Sequence, residues 1–155
     1  MEYASIEREI HVQASPEVVF QVVSQAEHLR EWWPDDATLP SANPGATGEL
    51  IWGDDDNPRA NVEQLTVVES EPPRRFVFRW THGVGEEPAP GNSLLVTFEL
   101  TPSGSGTQLR MTETGFREMG WEAAVLEEAY RDHVAGWDHF IPRLETYADS
   151  LVSSR

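Results

Sequence analysis

Between residues 123 and 151 the chain carries one unbroken stripe at helical spacing: Ala123, Leu126, Tyr130, His133, Trp137, Ile141, Leu144, Ala148 and Leu151. At 3.6 residues per turn these positions cover roughly a third of a helix circumference. Glu128, Asp132, His139, Arg143 and Asp149 fall on the other side. All but one of the stripe residues are apolar or aromatic, and His133 is the only one whose ordinary titration lies near neutral pH. A long one-sided helix following a run of strands must lie across a sheet, either packed solidly or roofing a cavity. Pro142 falls inside it, where a missing backbone N–H predicts a bend near the cavity mouth.

The preceding residues supply that sheet. Residues 5–13 alternate, with Ile6, Ile10 and Val12 on one face, Glu7, Glu9 and His11 on the other, and Arg8 intruding on the apolar side. Ser15-Pro16-Glu17 reads as a helix start, with a capping hydroxyl, a first-turn proline and an acid at the positive end of the dipole. A short helix follows through Val19, Phe20, Val22 and Val23. A second runs through Leu29, Trp32 and Trp33 to Pro34, and residues 35–45 read as loop. Strand-like runs then occupy residues 48–52, 62–70, 75–81, 93–100 and 107–114, separated by Gly, Pro and Asp turn signals. Alternation is clearest in Phe76/Phe78/Trp80, Leu94/Val96/Phe98/Leu100 and Leu109/Met111/Glu113. This order predicts an α+β domain over residues 1–155. A curved antiparallel sheet of six or seven strands wraps a long C-terminal helix, with two short helices after the first strand.

Composition narrows the chemistry. Against 27 acidic residues stand 11 basic ones, a formal charge of −16, and such a field repels phosphate backbones and anionic headgroups. Neither nucleic acid nor membrane is therefore expected as a partner. The chain has no Cys, and all its basic residues are Arg. Disulfides, thiol nucleophiles, thiolate metal sites, Schiff-base lysines and the phosphate-loop lysine are thereby excluded. The N-terminal residues resemble no signal peptide, and no apolar run approaches the roughly 18 residues of a span, so a cytoplasmic location is expected. Asp54-Asp55-Asp56 lacks calcium-loop spacing, the histidines form no metal-binding pair, and the glycines form no phosphate cradle. No metal or cofactor is expected.

Arg8-Glu9-Ile10 together with Ala14-Ser15-Pro16-Glu17-Val18-Val19-Phe20 resembles the opening of the START-like (SRPBCC) superfamily, whose architecture is the Bet v 1-like helix-grip fold. More closely, Leu29…Trp32-Trp33-Pro34, Glu69-Ser70-Glu71-Pro72, Phe76-Val77-Phe78-Arg79-Trp80, Gly106-Thr107, Thr112-Glu113-Thr114-Gly115-Phe116 and His133…Gly136-Trp137 resemble the activator of heat-shock protein 90 ATPase homologue family. The resemblance spans nearly the whole chain in the family's order. It implies a hydrophobic cavity between the closing helix and the sheet, but no single function, because the fold hosts carriers, receptors, cyclases and co-chaperone domains.

Three functions follow as expectations. The first is binding of an apolar or aromatic small molecule in a cavity lined by Trp80, Phe98, Met111, Glu113, His133 and Trp137. The second is a cyclase- or hydratase-type enzyme using His133 and Glu113 as acid and base. The third is a chaperone-interacting module, and a homodimer is an open assembly state. Trp52 and Trp121 read as packing residues. Pairing Val12 with Leu109 on neighbouring first and last strands would set Arg8 opposite Glu113, giving each inward charge a partner.

Overall fold

The computed structural model describes residues 3–153. Seven strands form one antiparallel sheet: β1 (Ser5–Val12), β2 (Asp36–Thr38), β3 (Thr47–Trp52), β4 (Asn61–Glu71), β5 (Arg75–His82), β6 (Leu94–Ser103) and β7 (Gly106–Thr114). Their spatial order is β1-β7-β6-β5-β4-β3-β2, so β1 reaches across to pair with the last strand. Helices α1 (Pro16–Ser24) and α2 (Ala26–Trp32) follow β1, and α3 (Ala123–Ser153) closes the fold. This is the helix-grip architecture, a curved sheet around one long helix. Segment 35–45, expected to be loop, contains the short edge strand β2, paired to β3 through Asp36↔Ile51 and Thr38↔Glu49.

Local chemistry accounts for the short helices. Ser15 Oγ accepts from Val18 N at the start of α1, Pro16 occupies the first turn, and Glu17 sits against the dipole. Val19, Val22 and Val23 are fully buried, and Trp32 ties α2 to α1 by donating its indole N–H to the Val22 carbonyl at 3.0 Å.

The long helix changes character along its length. Trp137, Ile141, Leu144 and Ala148 are buried at 3% exposure or less, whereas Leu126, Tyr130 and His133 are only half-buried and Ala123 is exposed. The C-terminal half is thus the more deeply buried, and the preceding turns are held to the edge strand β1 by Tyr130 Oη, which donates to the Ser5 carbonyl at 2.6 Å. Pro142 lies on the solvent side of a helix that continues through it.

The expected partnership of Arg8 with Glu113 does not form. Val12 pairs with Thr107 and Ile6 with Glu113, so β1 sits two residues away from the expected register. A two-residue slip keeps every side chain on its face while changing all its neighbours. Arg8 instead crosses to α3 and meets Asp138, Nε to Oδ1, at 2.8 Å.

Candidate functional site

A cavity of about 360 Å³ opens between residues 132–140 of α3 and strands β3, β4 and β5. Four indoles wall it, from four different elements: Trp33 after α2, Trp52 at the end of β3, Trp80 on β5 and Trp137 on α3. Phe140 completes the aromatic surface. Trp33 is central, with its ring centroid 5.0 Å from Trp80, 5.2 Å from Trp137 and 6.0 Å from Trp52. Glu63, Asn61, Thr81, Asp132, His133 and Gly136 supply the rest of the lining. Asn61 and Asp132 are exposed, which marks the mouth. The volume lies within the range of small-molecule sites, and the wall is largely apolar with few polar groups.

Behind this wall lies a fully buried carboxylate, Glu113, on the inward face of β7. Three donors converge on it. Trp80 Nε1 reaches Oε2 at 2.7 Å, Trp137 Nε1 reaches Oε1 at 2.8 Å, and His133 Nδ1 lies 2.9 Å from Oε1. A carboxylate can only accept, so His133 holds a proton on Nδ1 and Nε2 is the nitrogen left to meet a ligand. The donors offset the desolvation that an unpaired carboxylate would suffer there, several kcal/mol as an order of magnitude. They also fix the orientation of two of the four indoles.

Burial alone would lower the pKa of His133. The hydrogen bond and charge of Glu113, with Glu63 and Asp132 beyond, outweigh it and hold the imidazole above its ordinary value. Glu63 is pushed up by desolvation, partly opposed by the nearby His133. Its carboxylate has no hydrogen-bond or salt-bridge partner among the described residues. Among those residues no group of three or more His, Asp or Glu side chains is arranged to hold a metal ion.

A bulge shapes the mouth. Gln64 faces His82 while Leu65 faces Trp80, which leaves Thr81 as an extra residue on β5. Thr81 adopts φ +72°, an uncommon conformation for a β-branched residue, and it lines the cavity. Beyond the bulge His82 turns to the other face, where Nε2 lies 3.1 Å from Thr66 Oγ1.

Of the residues expected to line a cavity, Trp80, His133 and Trp137 lie on its wall. Phe98 and Met111 do not: both are fully buried in the core, with Phe98 edge-on to Trp137 at 6.5 Å. Glu113 is removed from the cavity by the indoles that bind it. Trp33, Trp52, Glu63, Asp132 and Phe140 were missed. Glu63 carried a readable signal, because it alternates with Leu65 and Val67 and so puts a charge on an inward face. Asp132, Gly136 and Phe140 repeat every fourth residue beside the main stripe, so one flank of the helix borders the cavity together with His133 and Trp137 of the stripe itself.

No curated protein matches the chain in sequence. Among solved structures, protein MLL2253 from Mesorhizobium loti is similar with a TM-score of 0.73 and 24% identity, covering 94% of this chain and 97% of that one. Protein NE0264 from Nitrosomonas europaea also gives a TM-score of 0.73, at 15% identity over 97% of both chains. The Aha1 dimer from Colwellia psychrerythraea gives a TM-score of 0.68 and 18% identity, covering 94% of this chain and 96% of that one. These identities establish a shared fold. The family described as activator of Hsp90 ATPase homolog 1-like protein matches residues 13–149, and the chain belongs to that family.

Proposed function

We propose that this protein binds an apolar or aromatic small molecule in the cavity between α3 and the sheet. The observation that carries the reading is the wall of Trp33, Trp52, Trp80, Trp137 and Phe140 around about 360 Å³ of space. The indoles pack on one another through Trp33, and the space left beside them has room for a flat guest. His133 Nε2 would orient a polar group on that guest. Membership of the family supports a ligand-binding or Aha1-like module in general. Native mass spectrometry of freshly purified protein, followed by organic extraction, tests the reading. A co-purifying apolar compound supports it. An empty protein that also gives no tryptophan-fluorescence response to an aromatic and lipid panel contradicts it.

One observation favours catalysis as a second reading. The Glu113–His133 pair has the form of an oriented general base, with a buried carboxylate holding Nδ1 and Nε2 left to act. Cyclase- or hydratase-type turnover lost in His133→Ala would establish it. The family name supports a third, chaperone-directed reading, for which capture of an Hsp90-type ATPase with stimulated hydrolysis is the test.

A further inference from the structure

We infer that the occupant of this cavity carries a cationic centre, a quaternary or protonated amine on an apolar or aromatic frame, seated among the indoles and countered by Glu63 and Asp132. The inference rests on the cavity being a ligand site and names the class of ligand.

The first argument is the way the rings are tied. Trp80 and Trp137 both direct their N–H groups away from the cavity to Glu113, at 2.7 and 2.8 Å. Neither is left with a donor for a carboxylate, phosphate or carbonyl on a ligand. The part of each ring left to line the cavity is carbon π surface, limited because both residues are at most 7% exposed. A carboxylate accepting from an indole N–H also pushes electron density into that ring. Both effects favour a cation, for which Trp is the best aromatic partner.

The second argument is charge. The lining holds Glu63, Asp132 and His133, and no Arg; the chain holds no Lys. With Glu113 behind the wall, acidic groups outnumber basic ones in either protonation state of His133. An anionic guest would face the two lining carboxylates, with a single imidazole, itself paired to Glu113, as the one group able to carry positive charge.

The third argument is Glu63 itself. It sits half-buried on the inward face of β4, desolvated, with no hydrogen-bond or salt-bridge partner among the described residues. A carboxylate left so costs folding energy, and a bound ammonium beside it would supply the missing partner.

The test compares benzyltrimethylammonium with its neutral carbon isostere, neopentylbenzene, by calorimetric titration of the whole protein. The ammonium compound is expected to bind about tenfold more tightly. In Glu63→Gln that advantage should shrink severalfold while the isostere is unaffected. Asp132→Asn, at an exposed position where folding is not at stake, carries the same expectation. Equal binding of the two compounds, or preference for the neutral one, overturns the cation inference and leaves the apolar-ligand reading standing. Binding of neither compound, nor of any member of the aromatic panel, overturns both.

Discussion

His133 and Glu113 are joined at 2.9 Å between α3 and β7, beside the cavity that the helix borders. The contact ties the cavity wall to the core, because the same carboxylate also accepts from Trp80 and Trp137.

That contact should give stability a definite pH dependence. Burial works against the imidazolium, but the hydrogen bond and charge of Glu113, with Glu63 and Asp132, raise the folded-state pKa of His133 above its ordinary value. A group raised on folding contributes fully below its unfolded pKa of about 6.5, and the contribution is lost as pH rises through the higher folded value. The stability difference between wild type and His133→Gln should therefore be largest near pH 6 and shrink toward pH 8.5. Urea denaturation at a series of pH values reads it, and a difference that grows with pH would be contrary to this assignment.

Removing a donor from Glu113 should cost far more than removing an indole that does not bind it. Trp80→Phe keeps most of the ring and deletes one charge-assisted bond to a fully buried acceptor, so a loss of about 1.5–3 kcal/mol is expected. Glu113→Gln leaves one acceptor oxygen facing converging donors and should cost about 3 kcal/mol or more. Trp52→Phe, at a half-buried ring without that bond, should fall below about 1.5 kcal/mol. Chemical denaturation of the three variants checks the order.

The Arg8–Asp138 pair illustrates the opposite case. Its side chains are 32% and 57% exposed, so solvent screens the attraction despite the 2.8 Å distance. A double-mutant cycle through Arg8→Ala and Asp138→Ala should give a coupling below about 1 kcal/mol. A coupling of 2 kcal/mol or more, to order of magnitude, would mean that this bridge is better sheltered than its exposure indicates.

The contrast between those two ion pairs also shows what could be read from the residues alone. Alternation assigned Arg8 and Glu113 to inward faces but gave them each other as partners. The β6–β7 register is set by the short turn between Ser103 and Gly106, whereas β1 joins β7 from a hundred residues away with no turn to align it. Face was thus legible and neighbour was not. The same alternation runs through Glu63, Leu65 and Val67 and puts Glu63 on the inward face, although the irregularity between Val67 and Glu69 cuts the pattern short. Trp52 follows Leu50 and Ile51 in an apolar run with no period, so its side of the sheet could not be told. In β2, Ala37 is the only apolar residue between Asp36 and Thr38, too few for any periodicity. The helix stripe was plain and two of its residues, His133 and Trp137, line the cavity, yet only the packing of α3 against the sheet reveals which flank joins them.

Gly136 offers the most direct test of the cavity as the binding site. It lines the space from α3, and a Cβ added there meets nothing within 4 Å. Gly136→Ala should stabilise the helix by up to about 1 kcal/mol. Gly136→Leu keeps that gain in helix propensity while driving a side chain into the space a ligand would occupy. The decisive measurement is calorimetric titration of wild type and Gly136→Leu with a ligand that wild type binds, with thermal melting to show that the variant is folded. The account predicts a folded Gly136→Leu protein with affinity reduced at least tenfold, as about 1.4 kcal/mol or more of lost contact implies. Undiminished affinity in the folded variant would contradict it and move the site elsewhere on the protein.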